Sequence, residues 1–425
     1  MSGKNQQAAP PSTPGAMAYR EFVAMMAMMM ALQALAIDTM LPSLGQIADD
    51  LGVSDPNRRQ LVVGTFLLAS GIGSLVPGAL ADRYGRRPVA LVALASYIVL
   101  SIACALATDF TVLLVLRVIH GFTCAGLTVV PSAIIRDRHG GDRMARMLST
   151  VSMVFMIVPI LAPMIGQSVL LFAGWRWIFA LLAVLACVMG AWVWFRLEET
   201  LHPEFRQAIR PATIATNMGR AATTRSSIGY VLGSSLVLAG MFGYVNSVQQ
   251  LVGEHFGAGE MMPLCFGITG LALSLANFFN ARIVERFGAR RVSHTALVAF
   301  ILTASLQVLL AMQPHETLWQ FLPVMAINVC LMGFIGANFS SIALQPFAAT
   351  AGAASSVQAF LRMAIASLLG MVIGQAYDGS ARPLALSLLL GGLASLALVL
   401  WSEHGRLFRR VLPPGAARET VIDFH

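Results

Sequence analysis

The chain has 425 residues, of which 57% are hydrophobic and 11% charged, and its mean hydropathy is +0.74. Soluble globular domains carry about 25% charged residues, so this composition excludes one and describes a membrane protein. The net charge of +8 does not point to nucleic acid, because the arginines lie in short segments between apolar runs rather than on one basic face.

In chain order, residues 1–19 are rich in Pro, Ala, Gln and Ser and predict a disordered tail. The first apolar run is longer than a signal-peptide core and lacks a small-residue cleavage site, so it reads as a retained membrane helix. A transmembrane helix needs about 20 apolar residues. Twelve stretches qualify, near 20–44, 58–80, 87–107, 110–135, 144–170, 175–196, 226–250, 261–283, 291–312, 317–343, 352–377 and 383–403. The fold class expected is all-α membrane protein, twelve helices in two pseudo-symmetric bundles of six. The bundles span 20–196 and 226–403, joined by a polar linker 197–225 and followed by a tail 404–425. With a cytoplasmic N-terminus, only Arg58, Arg59, Arg176 and Arg382 of the 28 basic residues fall outside, while Arg117 and Arg362 lie within helices. That bias places both termini in the cytoplasm. The five cysteines (Cys104, Cys124, Cys187, Cys265, Cys330) lie at irregular gaps inside apolar segments, a pattern of neither a disulfide framework nor a metal site.

Ionisable residues inside apolar segments are the first functional candidates, because a charge in the bilayer costs enough to be kept mainly for a pathway or relay. Asp38 is the one acid well inside the first stretch. It reads either as a proton site or as a residue solvated near the interface, with Pro42 a turn away. Arg117, early in the inward-running fourth stretch, stands at a depth similar to Asp38 and could meet it, or could snorkel about 10 Å to the headgroups. Arg362 lies about 15 Å into the eleventh stretch and should face a cavity, binding an anionic substrate group, tuning the proton site or bonding helix carbonyls. Tyr244, Asn246, Gln249, Asn338 and Gln358 are candidate cavity residues. Met25, Met26 and the run Met28 to Met30 supply adaptable packing, whether toward substrate or in the core. Pro159 and Pro163 would weaken the ladder of the fifth helix.

A charged loop repeats. Gly78-Ala-Leu-Ala-Asp82-Arg83-Tyr-Gly85-Arg86-Arg87 follows the second stretch, and Ala281-Arg-Ile-Val-Glu285-Arg286-Phe-Gly288-Ala-Arg290-Arg291 follows the eighth. An echo at nearly half the chain length indicates two related halves. The first copy resembles the signature loop of the major facilitator superfamily of transporters. Further motifs are Ala36-Ile-Asp38-Thr-Met-Leu-Pro42, Leu116-Arg117-Val-Ile-His120-Gly121, Arg136-Asp137, Pro159-Ile-Leu-Ala-Pro163-Met-Ile-Gly166 and Gly174-Trp175-Arg176-Trp177-Ile-Phe179. Together they look like the Bcr/CflA branch of drug:proton antiporters, from Tyr19 to about Trp401. The resemblance implies a gate, with Asp82 near the N-terminus of the eleventh helix and loop arginines paired with Asp137. The second copy departs from the pattern at Ala281, Glu285 and Ala289. Ala162-Pro163 stands where many antiporters have Gly-Pro, and His120 where Gln is frequent.

No His-Glu-x-x-His, Gly-x-Ser-x-Gly or dinucleotide fingerprint occurs, and the only lysine is Lys4, so there is no Walker P-loop. An ion gradient is therefore the expected energy source. The membrane potential supplies about 2.3 kcal/mol per charge per 100 mV, about a fifty-fold concentration ratio. The reading is a proton-coupled multidrug efflux antiporter in the bacterial inner membrane. Its partners are a small drug-like substrate, protons and the lipid bilayer, with no nucleic acid and no cofactor, and a monomer is expected. The alternatives are an uptake symporter for a small metabolite and a multi-pass membrane enzyme.

Overall fold

A computed structural model describes residues 17–138, 147, 150–151, 157–202, 204, 206, 219 and 223–408. The expected N-terminal tail, most of the 197–225 linker and the C-terminal tail beyond 408 lie outside the described residues. Among the described residues every regular element is helical. The first part of the chain forms α1 (Tyr19–Asp38), the short α2 (Leu44–Asp50), α3 (Leu61–Gly73), α4 (Leu75–Tyr84), α5 (Arg86–Ala105) and α6 (Phe110–Cys124). These are followed by α7 (Gly126–Arg138), α8 (Val158–Phe172) and α9 (Arg176–Arg196). The second part forms α10 (Arg225–Gln250), α11 (Met262–Phe287), α12 (Ala289–Ala311), α13 (Leu318–Leu344), α14 (Ala351–Gln375) and α15 (Arg382–Ser402).

Ten of these runs are long and apolar enough to cross a membrane, and α3 with α4 makes an eleventh that is bent by 45°. The bend has a local cause. Ser74 Oγ donates to the Gly71 carbonyl at 2.7 Å, and Pro77 has no N–H to return to the turn before it, so the ladder breaks between Gly73 and Leu75. The expected fifth stretch, 144–170, is seen as the shorter α8, since most of 144–156 lies outside the described residues. Pro163 is inside that helix.

The helices gather into two bundles. In the first, α1 packs on α7, α8 and α9, α3 on α6, and α5 on α6, α7 and α9; in the second, α10 packs on α13, α14 and α15, and α12 on α13 and α15. Two seams join the bundles, α3 along α14 and α8 along α11. The outer faces carry exposed apolar side chains such as Phe172 (90%) and Phe195 (79%), which in a chain this apolar are the lipid-facing surface. The five cysteines are free.

Both copies of the repeated loop reduce to a single-glycine turn. Gly85 (φ 105°) links α4 to α5, and Gly288 (φ 83°) links α11 to α12; a left-handed backbone here favours glycine. An acid just past the last helix of each bundle fastens its loop. Glu199 accepts from the backbone amides of Arg86 (2.8 Å) and Arg87 (3.2 Å), which satisfies unpaired donors at the start of α5. Glu403 accepts from Arg290 Nε at 2.7 Å and from the Tyr230 hydroxyl at 2.7 Å. Burial pushes the Glu403 carboxyl up, but those bonds prevail and hold it below the usual carboxylate range.

Candidate functional site

Between the bundles, on the side of Gly85, lies a cavity of about 660 Å³, within the size range of small-molecule sites. The first bundle contributes Met30, Ser74, Gly78, Asp82, Thr128 and Ser132 to its wall, with Arg86 and Arg136, and α14 contributes Ser355, Ala359 and Arg362. The bend at Ser74 turns α4 so that Gly78 and Asp82 border this space.

At its mouth Arg86 is held by two carboxylates, Asp82 Oδ1 at 2.6 Å and Asp137 Oδ2 at 2.8 Å. The guanidinium side chain is nearly buried, at 4% exposure, against 17% for Asp137 and 43% for Asp82. Of the other loop arginines, Arg87 donates to the Trp194 carbonyl at 2.6 Å and lies over the Trp194 ring, and Arg83 stacks on Tyr84. Arg86 alone thus meets Asp137.

The opposite side is shut. Asn57 Nδ2 donates to the carbonyls of Gln375 (3.1 Å) and Tyr377 (2.8 Å), Gln375 Nε2 donates to the Asn57 carbonyl (2.7 Å), and Gln250 Nε2 donates to Asn57 Oδ1 (3.0 Å). Arg59 pairs with Glu254, the one salt bridge between the bundles among the described residues. Below this layer α3 and α14 touch closely: a Cβ on Gly71 would stand 3.1 Å from the Met363 backbone, and one on Gly374 would collide with Gln60.

Asp38 and Arg117 are both buried but do not pair. Arg117 donates from Nε to the Val62 carbonyl (2.9 Å) and from Nη2 to the Ala36 carbonyl (3.0 Å), with its guanidinium 4.1 Å from the Phe66 ring centre. Ala36 is available because the chain tightens after α1, where the Met40 amide bonds Ile37 instead. Two of the arginine's nitrogens are therefore taken up by backbone while Nη1 is buried without a partner, and no salt bridge reaches Asp38 among the described residues. The expected meeting of the two side chains is corrected accordingly. Nor does Arg117 snorkel, being fully buried.

The polar candidates of the second bundle divide. Arg362 faces the cavity and bonds the Ser340 hydroxyl. Gln358 lines a small adjoining pocket and donates to Ser227 Oγ (3.0 Å) and the Ala343 carbonyl (2.9 Å). Neither cavity is lined by Tyr244, Asn246, Gln249 or Asn338. Tyr244 is packed beside Phe266 and Phe321, Asn246 bonds the Phe242 carbonyl, and Asn338 joins α13 to Asn280 of α11 at 2.7 Å. Asn338 spends its polarity on a contact between helices, while the Asn246 bond stays within α10; hydropathy distinguishes neither from a cavity wall. Of the methionines among the described residues only Met30 borders the cavity; Met25, Met26 and Met29 are core. Sequence reasoning missed Asn57, Gln250, Glu254 and Gln375, whose partners are remote in the chain. It also missed Glu199, for which an acid directly after the sixth stretch was the available signal.

Bundles of membrane-crossing helices enclosing a cavity that is sealed on one side define a polytopic membrane transporter. The profile of the Major Facilitator Superfamily matches residues 22–371. The chain is 30% identical over 356 residues to the uncharacterized MFS-type transporter YdgK of Bacillus subtilis, covering 82% of this chain and 87% of the relative. It is 26% identical to a bicyclomycin resistance protein homolog of Haemophilus influenzae (85% and 91% covered) and 29% identical to the multidrug resistance protein MdtL of Klebsiella pneumoniae (85% and 89%). Among solved structures it is similar to a bacterial homolog of the human lysosomal transporter Spinster (TM-score 0.67, 14% identity, 93% and 96% covered). It is also similar to a D-xylose-proton symporter (TM-score 0.67, 15% identity, 92% and 99% covered). The chain belongs to the Major Facilitator Superfamily.

Proposed function

We propose that the protein is a proton-coupled efflux antiporter of small drug-like molecules, of the Bcr/CflA type, working by alternating access. The observation that carries the reading is the placement of the contacts between bundles: the described polar bonds that cross from one to the other lie at Asn57 and its neighbours, while the cavity borders the Gly85 side. The relatives' resistance names support export of toxic compounds. The arginine bias supports a cytoplasmic Gly85 side with both termini inside, so this conformation is inward-facing, and residues 20–196 and 226–403 are the two moving bodies.

In this reading Asp38 carries the coupling proton. Arg117, tied to α1 and α3, sets the local charge without forming an ion pair. Substrate enters the cavity from the cytoplasm, the Asn57 contacts part, and proton uptake from outside favours release. The test is efflux from reconstituted vesicles driven by an imposed pH gradient, over a panel of toxic compounds. The parent should move at least one of them with counterflow of protons, whereas Asp38→Asn should insert normally and lose gradient-driven movement. Gradient-driven uptake in the opposite sense would replace export with symport, and full activity in Asp38→Asn would place the proton site elsewhere.

A further inference from the structure

The cavity has an unbalanced charge. Arg86 is neutralised at its mouth by Asp82 and Asp137, but Arg362, deeper along α14, has no carboxylate within salt-bridge distance among the described residues. Among the described residues its only hydrogen bond runs from Nη1 to the Ser340 hydroxyl, and its Nε is buried without a hydrogen-bond partner. A second cation, Arg136, also borders the cavity. Arg362 is half-buried; a guanidinium drawn out of bulk water is costly when it lacks a counter-charge, and its fork of donors matches a planar carboxylate or a tetrahedral oxyanion.

The space beside Arg362 has two parts. A compact pocket of about 110 Å³, bordered by Ser234, Ser340, Gln358 and Ser355, shares Ser355, Ala359 and Arg362 with the 660 Å³ cavity. The smaller part has room for a group of a few atoms and the larger for a molecular body, and the arginine stands where they join. Ser355 is exposed at this junction and offers a hydroxyl donor directed by the same helix.

We propose that Arg362 and Ser355 form a binding site for the anionic group of an amphiphilic organic acid, whose body occupies the main cavity. The assignment rests on the cavity being the transport site, as argued above. The substrate supplies the counter-charge that the protein withholds, so an uncharged isostere leaves Arg362 unpaired and binds less well. Arg136 lies on the way in and attracts the same charge. An anion exported from a compartment that is negative inside also leaves with the membrane potential, so such substrates add to the driving force from the proton.

The experiment compares dansylglycine, a carboxylate at neutral pH, with dansylglycinamide, its neutral amide, by fluorescence titration of the purified full-length protein in detergent. The parent should bind the carboxylate at least about tenfold more tightly, the scale of one charge-assisted pair. Arg362→Gln should lose that preference while keeping its affinity for the amide. Arg362→Lys, which keeps the charge without the fork, should retain part of it, and Ser355→Ala should reduce it with the arginine intact. Equal affinity of the parent for both probes, or an unchanged preference in Arg362→Gln, overturns the proposal. Should Arg362→Gln elute as aggregate on gel filtration, the lysine and alanine variants decide: parent-like preference in both overturns it. Vesicles carrying the parent separate this inference from the transport reading. Gradient-driven efflux with no carboxylate preference sinks the anion site alone, and carboxylate preference without gradient-driven transport sinks the antiporter alone.

Discussion

Asn57 and Gln375 exchange hydrogen bonds, each side-chain amide donating to the other's backbone carbonyl, at 3.1 and 2.7 Å. The two residues belong to different bundles, 318 positions apart, so this reciprocal pair exists only while that side of the protein is shut. Asn57→Ala removes the donor to Gln375 and Tyr377 and the acceptor for Gln250. At about 0.5–1.5 kcal/mol net for each bond, the closed state should lose about 2 kcal/mol, or roughly thirty-fold in the ratio of the two states. Spin-label distances across the Asn57 side should lengthen in the variant; an unchanged distribution would show that the shut state is held by packing alone.

Gly71 lets α3 and α14 approach to backbone contact at Met363. A leucine there has no room in the shut conformation, and the strain is relieved by parting the seam. Gly71→Leu should therefore favour the opposite state and slow turnover by tenfold or more, with normal membrane insertion. Transport at the parent rate would mean that the seam yields by small shifts.

The two acids on Arg86 should not be equivalent. Asp137 is 17% exposed and Asp82 43%, so removing the Asp137 charge leaves the guanidinium with its more weakly held, solvated partner. We expect Asp137→Asn to lower stability by about 2–3 kcal/mol, below the range for breaking a fully buried pair, and Asp82→Asn by about 1 kcal/mol or less. The effect of Asp82→Asn should be seen instead in the rate of switching between states, with substrate binding kept. Thermal denaturation in detergent alongside vesicle transport separates the two; equal loss of stability in both variants would contradict the ranking.

Glu316, in the segment between α12 and α13, has its carboxyl pushed up to about 7 by burial, with His255 Nε2 3.8 Å away. A carboxyl raised from 4.5 binds its proton more tightly in the folded state. Its contribution to stability is thus present below about pH 4.5 and is lost as pH rises through about 7. The loss is at most about 3.5 kcal/mol at about 1.4 kcal/mol per pKa unit. Melting temperature should fall between pH 5 and 8 in the parent and fall less in Glu316→Gln. An identical decline in both would assign the effect to other groups.

The sequence made the helices legible because hydropathy over about 20 residues is a local property, and the repeated loop was legible because glycine spacing encodes a turn. Arg362 could be directed to a cavity from depth alone, since lipid would not tolerate it. Depth did not suffice for Asp38 and Arg117. Two side chains at one level can each find other partners, and backbone carbonyls freed by a tight turn leave no trace in composition. For the same reason Asn338 and Gln358 look alike as letters, yet one ties two helices together and the other faces a pocket. The Asn57 contacts were beyond reach because they depend on which conformation the bundles adopt.

The anchoring of Arg117 to Ala36 and Val62 also bears on how the chain is built. Its two carbonyl acceptors precede it by 81 and 55 residues, so during synthesis both are made before the arginine leaves the ribosome. α6 enters the bilayer carrying a charge whose partners are already waiting on α1 and α3, and the cost of inserting it falls as they dock. A lesion at the end of α1 would therefore surface as poor membrane integration of a helix three spans later, recognised by quality-control proteases well before any defect in transport could be measured.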